Sequence, residues 1–135
     1  MTSRRSAQFR WVSIVAGPAL LLLLGSALSL FLLPHPVPKT ATQAQRLYLS
    51  LCAGCHGANG HGSWRATLLL LRPGDLGRPG TLTGLPDTYL FDLIKGGGAT
   101  LGKPGMPAFG HHVTDEQIRE LVGYVRALSD PKRLP

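Results

Sequence analysis

The stretch Cys52-Ala53-Gly54-Cys55-His56 decides how the rest of the chain is read. Two thiols three positions apart at the end of a helix can add to the two vinyl groups of one porphyrin. The histidine that follows then reaches the iron from the same side, which is the attachment pattern of a c-type haem. Ala53 and Gly54 are small enough to let the backbone lie close to a flat macrocycle. Paired cysteines serve two other chemistries. A thioredoxin-like pair sits in a βαβ context, and no strand pattern precedes Cys52. A structural zinc site takes four ligands, usually with a second cysteine pair, and the chain has 2 Cys in all. His61 and the pair His111–His112 do not fall at zinc spacing.

A haem iron held by His56 has a second axial position. Met106 is the one methionine besides Met1, and it lies in Gly102-Lys103-Pro104-Gly105-Met106-Pro107-Ala108-Phe109-Gly110. A lone methionine is commonly a core filler. Between Gly105 and Pro107 it falls outside any helical period, where a stiff strap can hold it out as a ligand. Met106 is therefore the candidate second ligand, with His111 and His112 as fallbacks. A thioether favours ferrous iron over a second imidazole and raises the potential.

Three helices are legible around these loops. Residues 43–53 form the first, capped by Thr42, with Leu47 and Leu51 on one face. A second opens near Pro86, buries Leu90, Leu93 and Ile94, and stops at Gly96-Gly97-Gly98. The last opens on a capping box, Thr114 with Gln117, with Asp115 and Glu116 in its first turn. Its buried face is Ile118, Leu121, Val122, Val125 and Leu128, and it ends before Pro131.

With these pieces in place, residues 43–128 resemble the class I cytochromes c. The resemblance rests on Tyr48 ahead of the motif, on Cys52 through Gly57 and the turn Gly57-Ala58-Asn59-Gly60-His61-Gly62, on the loop around Met106 and on the final helix. It implies an all-α fold of short helices around one covalent haem c, bound through Cys52 and Cys55, with His56 and Met106 on the iron. It further implies that a proline carbonyl steadies the axial histidine, and Pro73 in Arg72-Pro73-Gly74-Asp75-Leu76 is the matching position. It also implies that the first and last helices cross closely, a contact Gly123 could serve.

Ahead of this domain, residues 11–33 carry no charge. A spanning helix needs about 20 apolar residues, and secretory signal cores are shorter, about 7–15. No convincing small-x-small cleavage site follows Leu33, so the segment reads as an uncleaved single-span anchor; a cleaved signal peptide is the alternative. Arg4, Arg5 and Arg10 precede it and Lys39 follows Pro34. The positive-inside bias puts the N-terminus in the cytoplasm and the haem domain outside. Trp11 would sit at the inner interface and Gly17-Pro18 would kink the helix. Gly25 and Ser29 could meet a partner helix, or simply face lipid. Three parts follow: residues 1–33 as cytoplasmic N-terminus and anchor, 34–42 as a Pro-rich linker with a short reach, and 43–135 as the monohaem domain. Such a combination resembles bacterial membrane cytochromes, which implies the cytoplasmic membrane and a periplasmic haem.

The formal charge is +7. Three of the arginines belong to the N-terminal segment and no basic block exceeds two residues, so nucleic acid is a poor partner. With both axial positions filled by protein there is no open site for a small-molecule substrate. The reading is an electron-transfer protein, not itself an enzyme, whose partners are the membrane and other redox proteins. Two forms stay open: the cytochrome c subunit of a respiratory or photosynthetic oxidoreductase complex, or an independent tethered carrier. A haem enzyme or gas sensor with a dissociable Met106 is the weaker third. Lys95, Lys103, Arg72 and Arg78 could offer a basic docking face. Because a domain this small buries a modest core around a large cofactor, the haem-free chain is expected to be unfolded or molten. Calorimetry of apo-protein checks this, and a cooperative unfolding transition would refute it.

Overall fold

The computed structural model describes residues 3–33 and 35–130, with side chains from residue 15 onward. Trp11, Pro34 and Pro131 lie outside the side chains and residues so described. The described residues form helices and loops and no strand. The chain divides into two compact units, Met1–Leu33 and Pro34–Pro135.

The first unit is α1 (Ser3–Leu32), which continues through Pro18. Its segment Val15–Leu32 is long and apolar enough to cross a membrane, with none of its side chains buried. The Ser29 hydroxyl donates to the Ser26 carbonyl at 2.8 Å, so its polarity is satisfied within the helix.

The second unit is built on α2 (Gln43–Leu51), α5 (Asp87–Gly96) and α6 (Asp115–Leu128), with two short turns, α3 (Ala53–His56) and α4 (Trp64–Leu68), between the first pair. α6 begins as its sequence dictates. The Thr114 hydroxyl accepts from the Gln117 amide, and the Gln117 side chain accepts from the Thr114 amide at 2.8 Å. These bonds satisfy donors that a helix start leaves orphaned. Ile118, Leu121, Val122, Val125 and Leu128 then repeat on one face, and all are buried. They meet Tyr48 and Leu49 of α2 and Leu90 and Ile94 of α5 in one cluster. Tyr48, Ile118 and Leu121 are the largest fully buried side chains. Truncating such a leucine to alanine costs about 2–5 kcal/mol.

The crossing of α2 and α6 is made by aromatics. The Tyr48 and Tyr124 rings lie 5.2 Å apart at 49°, a tilted geometry that suits ring quadrupoles. Gly123, expected at this contact from the resemblance, is exposed, and a Cβ there would meet nothing within 4 Å. The close approach is thus carried one residue on, by Tyr124. Arg126 ties α6 to the other side: its guanidinium donates to Asp87 at the start of α5 and to the carbonyls of Leu82 and Leu85.

One expected boundary shifts. α2 ends at Leu51, and after Cys52, whose backbone stays in the right-handed helical region, the motif forms its own turn, α3. Leu93 is half-buried rather than in the core cluster. Two residues of the segment expected as a Pro-rich linker are tied to the domain, while residues 36–40 are exposed. The His35 Nε2–H donates to the Ala53 carbonyl at 3.0 Å, and Ala41 is buried.

Gly123 occupies an exposed helix interior, so Gly123→Ala is expected to stabilise the domain by about 0.5–1 kcal/mol. A raised thermal midpoint of the haem-loaded protein checks this; a lowered one would mean that the two helices do need the space.

Candidate haem-binding site

The motif turn is closed by its own backbone. Cys55 and His56 amides both donate to the Cys52 carbonyl, at 3.1 and 2.9 Å, and the Gly57 amide donates to Ala53 at 2.9 Å. Cys52, Cys55 and His56 therefore share one turn, with both cysteines free and half-buried. Gly57 ends it at φ +75°, where a Cβ would stand 2.3 Å from the Gly62 carbonyl oxygen. Only glycine fits that approach. Above the turn, the Tyr48 hydroxyl donates to the Gly57 carbonyl at 2.8 Å. Burial, then the neighbouring Cys52 and Tyr124, push the Tyr48 pKa up and keep it a neutral donor.

His56 is held from the opposite side. Its Nδ1 lies 3.1 Å from the Gly74 carbonyl oxygen. A carbonyl only accepts, so Nδ1 carries the proton and Nε2 keeps its lone pair for a metal. Burial lowers the His56 pKa, with the Gly74 bond working against that shift, and a lowered value favours the neutral, ligating imidazole. The accepting carbonyl is one residue beyond Pro73, the position expected from the resemblance. The reason lies in how the loop is seated. Leu76 and Gly77 amides both donate to the Gly60 carbonyl. The Asp75 carboxylate accepts from His61 Nδ1 at 2.9 Å and from the Arg78 amide at 3.0 Å. A Cβ on Gly77 would stand 2.5 Å from the Asn59 carbonyl oxygen. These contacts fix the loop against the glycine-rich turn in the register that points Gly74, not Pro73, at the imidazole.

The loop carrying Met106 has an equally defined seat. Gly98 donates to the Met106 carbonyl at 2.9 Å, Met106 to Lys103 at 3.0 Å, and Phe109 and Gly110 to Ile94 and Lys95 at the end of α5, each at 3.0 Å. A Cβ on Gly97 would come within 2.8 Å of the Ala108 nitrogen, and one on Gly98 within 2.3 Å of the Lys103 oxygen. The run of three glycines, legible in the sequence as a helix stop, is mainly the bed of this strap. One glycine would have ended the helix; the second and third are the signal that another backbone lies on top. Met106 is half-buried and packs on the same core cluster as Cys52. The strap and the segment leading to Gly74 meet where a Cβ on Gly105 would lie 3.1 Å from Leu71. His111 and His112, the fallback ligands, are exposed.

The donor set suits a covalent haem better than the rival chemistries. Burial, then the nearby Cys55, push the Cys52 thiol up to about 12. Redox-active cysteine pairs have depressed values instead. No group of three or more His, Cys, Asp or Glu converges among the described residues, so a zinc donor set is not assembled there. Two thiols on one turn, a tautomer-fixed imidazole and a thioether on a pinned strap match what a haem c asks of a protein.

Two comparisons bear on this site. The chain is 34% identical over 87 residues to the gluconate 2-dehydrogenase cytochrome c subunit of Pantoea cypripedii, an alignment covering 59% of this chain and 18% of that one. The chain thus spans less than a fifth of that relative. Residues 39–125 match the family model described as cytochrome c oxidase, cbb3-type, subunit III. That match takes in α2, the motif turn, the Met106 strap and nearly all of α6, and on it the chain belongs to the cbb3-type cytochrome c oxidase subunit III family of cytochrome c domains.

Proposed function

We propose that this chain passes single electrons between redox proteins through one haem c, bonded to Cys52 and Cys55 and ligated by His56 and Met106, on the outer face of a bacterial cytoplasmic membrane. The observation that carries the reading is the His56 bond to Gly74 on a turn that also presents both thiols. When bound, the haem supplies a reversible ferric–ferrous couple. The chain's own residues do the rest. His56 is oriented by Gly74, Met106 is held out by the Gly97–Gly98 bed, and the Tyr48–Ile118–Leu121 core keeps water from that side of the site.

The partner reading is the cytochrome c subunit of a membrane oxidoreductase complex. The Pantoea relative, named as a subunit of a dehydrogenase, supports a fixed subunit over a free carrier. Its gluconate chemistry is not carried over, because so little of its length is spanned. α1 serves as a retained single-span anchor, with the arginine-bearing end inside. Of the four cations expected to form a docking face, Lys95 is paired with Asp115 at 2.7 Å and Arg78 with Asp75 at 3.4 Å. No ion pair among the described residues holds Lys103, which lies on the Met106 strap itself and is exposed. It is the residue best placed to meet an acidic partner.

Met106→His is expected to keep the covalent haem and lower the midpoint potential, because a second imidazole stabilises ferric iron. Redox titration of the purified full chain reads this, and an unchanged potential would remove Met106 from the iron. Lys103→Glu is expected to slow electron transfer with an acidic redox protein at low ionic strength, the difference fading as salt screens it. A rate independent of salt in both proteins would discard the docking role. A native gel of gently solubilised membranes, stained for covalent haem and blotted for this chain, separates the partnerships. Stain in a large assembly supports the subunit, stain on a small band the free carrier, and no stain overturns the haem reading.

A further inference from the structure

We infer that the haem domain makes its own contact with an anionic lipid surface, through Trp64, Leu68, Leu69 and Leu70 at the outer side of α4. The inference rests on the reading of α1 as a retained anchor and adds a second membrane contact to it.

α4 is a short turn that spends its large side chains outward. Ala66 is its buried residue, while Trp64 is 58% exposed, Leu68 65%, Leu69 58% and Leu70 89%. Single exposed leucines are ordinary, but a tryptophan and three leucines within seven residues make a patch.

The backbone at Leu70 is a second, separate observation. Leu70 closes the turn in the left-handed region, at φ +57°, and is the one non-glycine residue with positive φ among those described. The closing bonds are Leu70 to the Thr67 carbonyl at 3.1 Å and Leu71 to the Ala66 carbonyl at 2.8 Å. Glycine or asparagine normally takes this place, since a Cβ is strained there. The Leu70 side chain is almost wholly in solvent, so the packing within the domain returns little for that strain. Strain kept at an observed outlier points to a use outside the fold.

Charge and side-chain type identify the surface. The chain's first acidic residue is Asp75, so residues 34–74 carry only cations: Lys39, Arg46, Arg65 and Arg72. The Arg65 guanidinium lies 5.8 Å from the Trp64 ring centre, and Arg72, just past the leucines, is exposed. Tryptophan, leucine and arginine side by side are what a bilayer interface with anionic headgroups selects. His35 donates to the Ala53 carbonyl, and the Ser63 hydroxyl that caps α4 donates to the next carbonyl, Gly54. The point where the chain enters the domain and the base of α4 are therefore neighbours.

The test uses the full haem-loaded chain in nanodiscs containing phosphatidylglycerol and a lipid with a photoreactive acyl chain, with labelled positions mapped by mass spectrometry. Residues 64–70 are expected to be labelled well above the exposed flank of α6, and less so in discs without the anionic lipid. Leu69→Ser and Leu70→Gly, separately and together, are expected to lose that labelling while α1 stays labelled and the haem spectrum and potential stay unchanged. Leu70→Gly also relieves the backbone, so a thermal midpoint at or above the parent's excludes misfolding as the cause. Labelling of 64–70 no greater than that of α6, with α1 labelled, overturns the inference. So does a shifted potential in these variants, which would mean that the leucines cover the haem and not lipid. An unlabelled α1 would instead bring down the anchor reading, and this inference with it.

Discussion

An imidazole can offer a metal only the nitrogen that does not carry its proton, and in this chain the Gly74 carbonyl settles which one that is. The bond spans 18 residues of sequence, so it has to be built by everything between. Gly57 turns the backbone out of the motif helix, the Gly60 carbonyl receives the returning loop, and the His61–Asp75 pair fastens the two segments. Desolvation by itself would raise the Asp75 carboxyl. Its bonds to His61 and the Arg78 amide and the charges of both partners outweigh that and hold it below the ordinary carboxylate range. The fastening thus works through an ionised carboxylate, while the histidine it ultimately serves stays neutral.

The opposite wall follows the same logic with different parts. There the ligand candidate is a side chain on a loop with no helical register, whose backbone is held by main-chain bonds to the end of α5 and to Gly98 and whose side chain packs on the core cluster. Gly57, Gly77, Gly97 and Gly98 all stand where a Cβ would strike another backbone or a side chain bonded to it. These four glycines therefore reflect tight backbone contact on both sides of the site, and the helices behind it supply rigidity. Most of that rigidity comes from the α2–α6 and α5–α6 contacts, with Arg126 bridging to Asp87.

What the sequence revealed follows from how local each signal is. The capping box of α6 and its buried stripe are carried by residues within one helix, and both appear where the periodicity puts them. The thiol pair and His56 are adjacent in sequence, so their shared turn was legible too. Gly74 was not, because the choice between two neighbouring carbonyls depends on how a distant turn seats the loop. α4 escaped notice because five residues are too few for a period, although Ser63 ahead of Trp64 was a usable capping signal. Gly123 misled because a glycine has no side chain to report its surroundings. His35 read as a linker residue because its partner, the Ala53 carbonyl, has no side-chain signature at all.

The seat of Cys52 bears on how the cofactor enters. A thioether forms from a thiolate, and in the closed domain this half-buried thiol packs against the core, where burial and then the neighbouring Cys55 disfavour the thiolate. Attachment is therefore easier before α2 has closed on α6, and slow or haem-dependent closure of the core favours loading over a haem-free product.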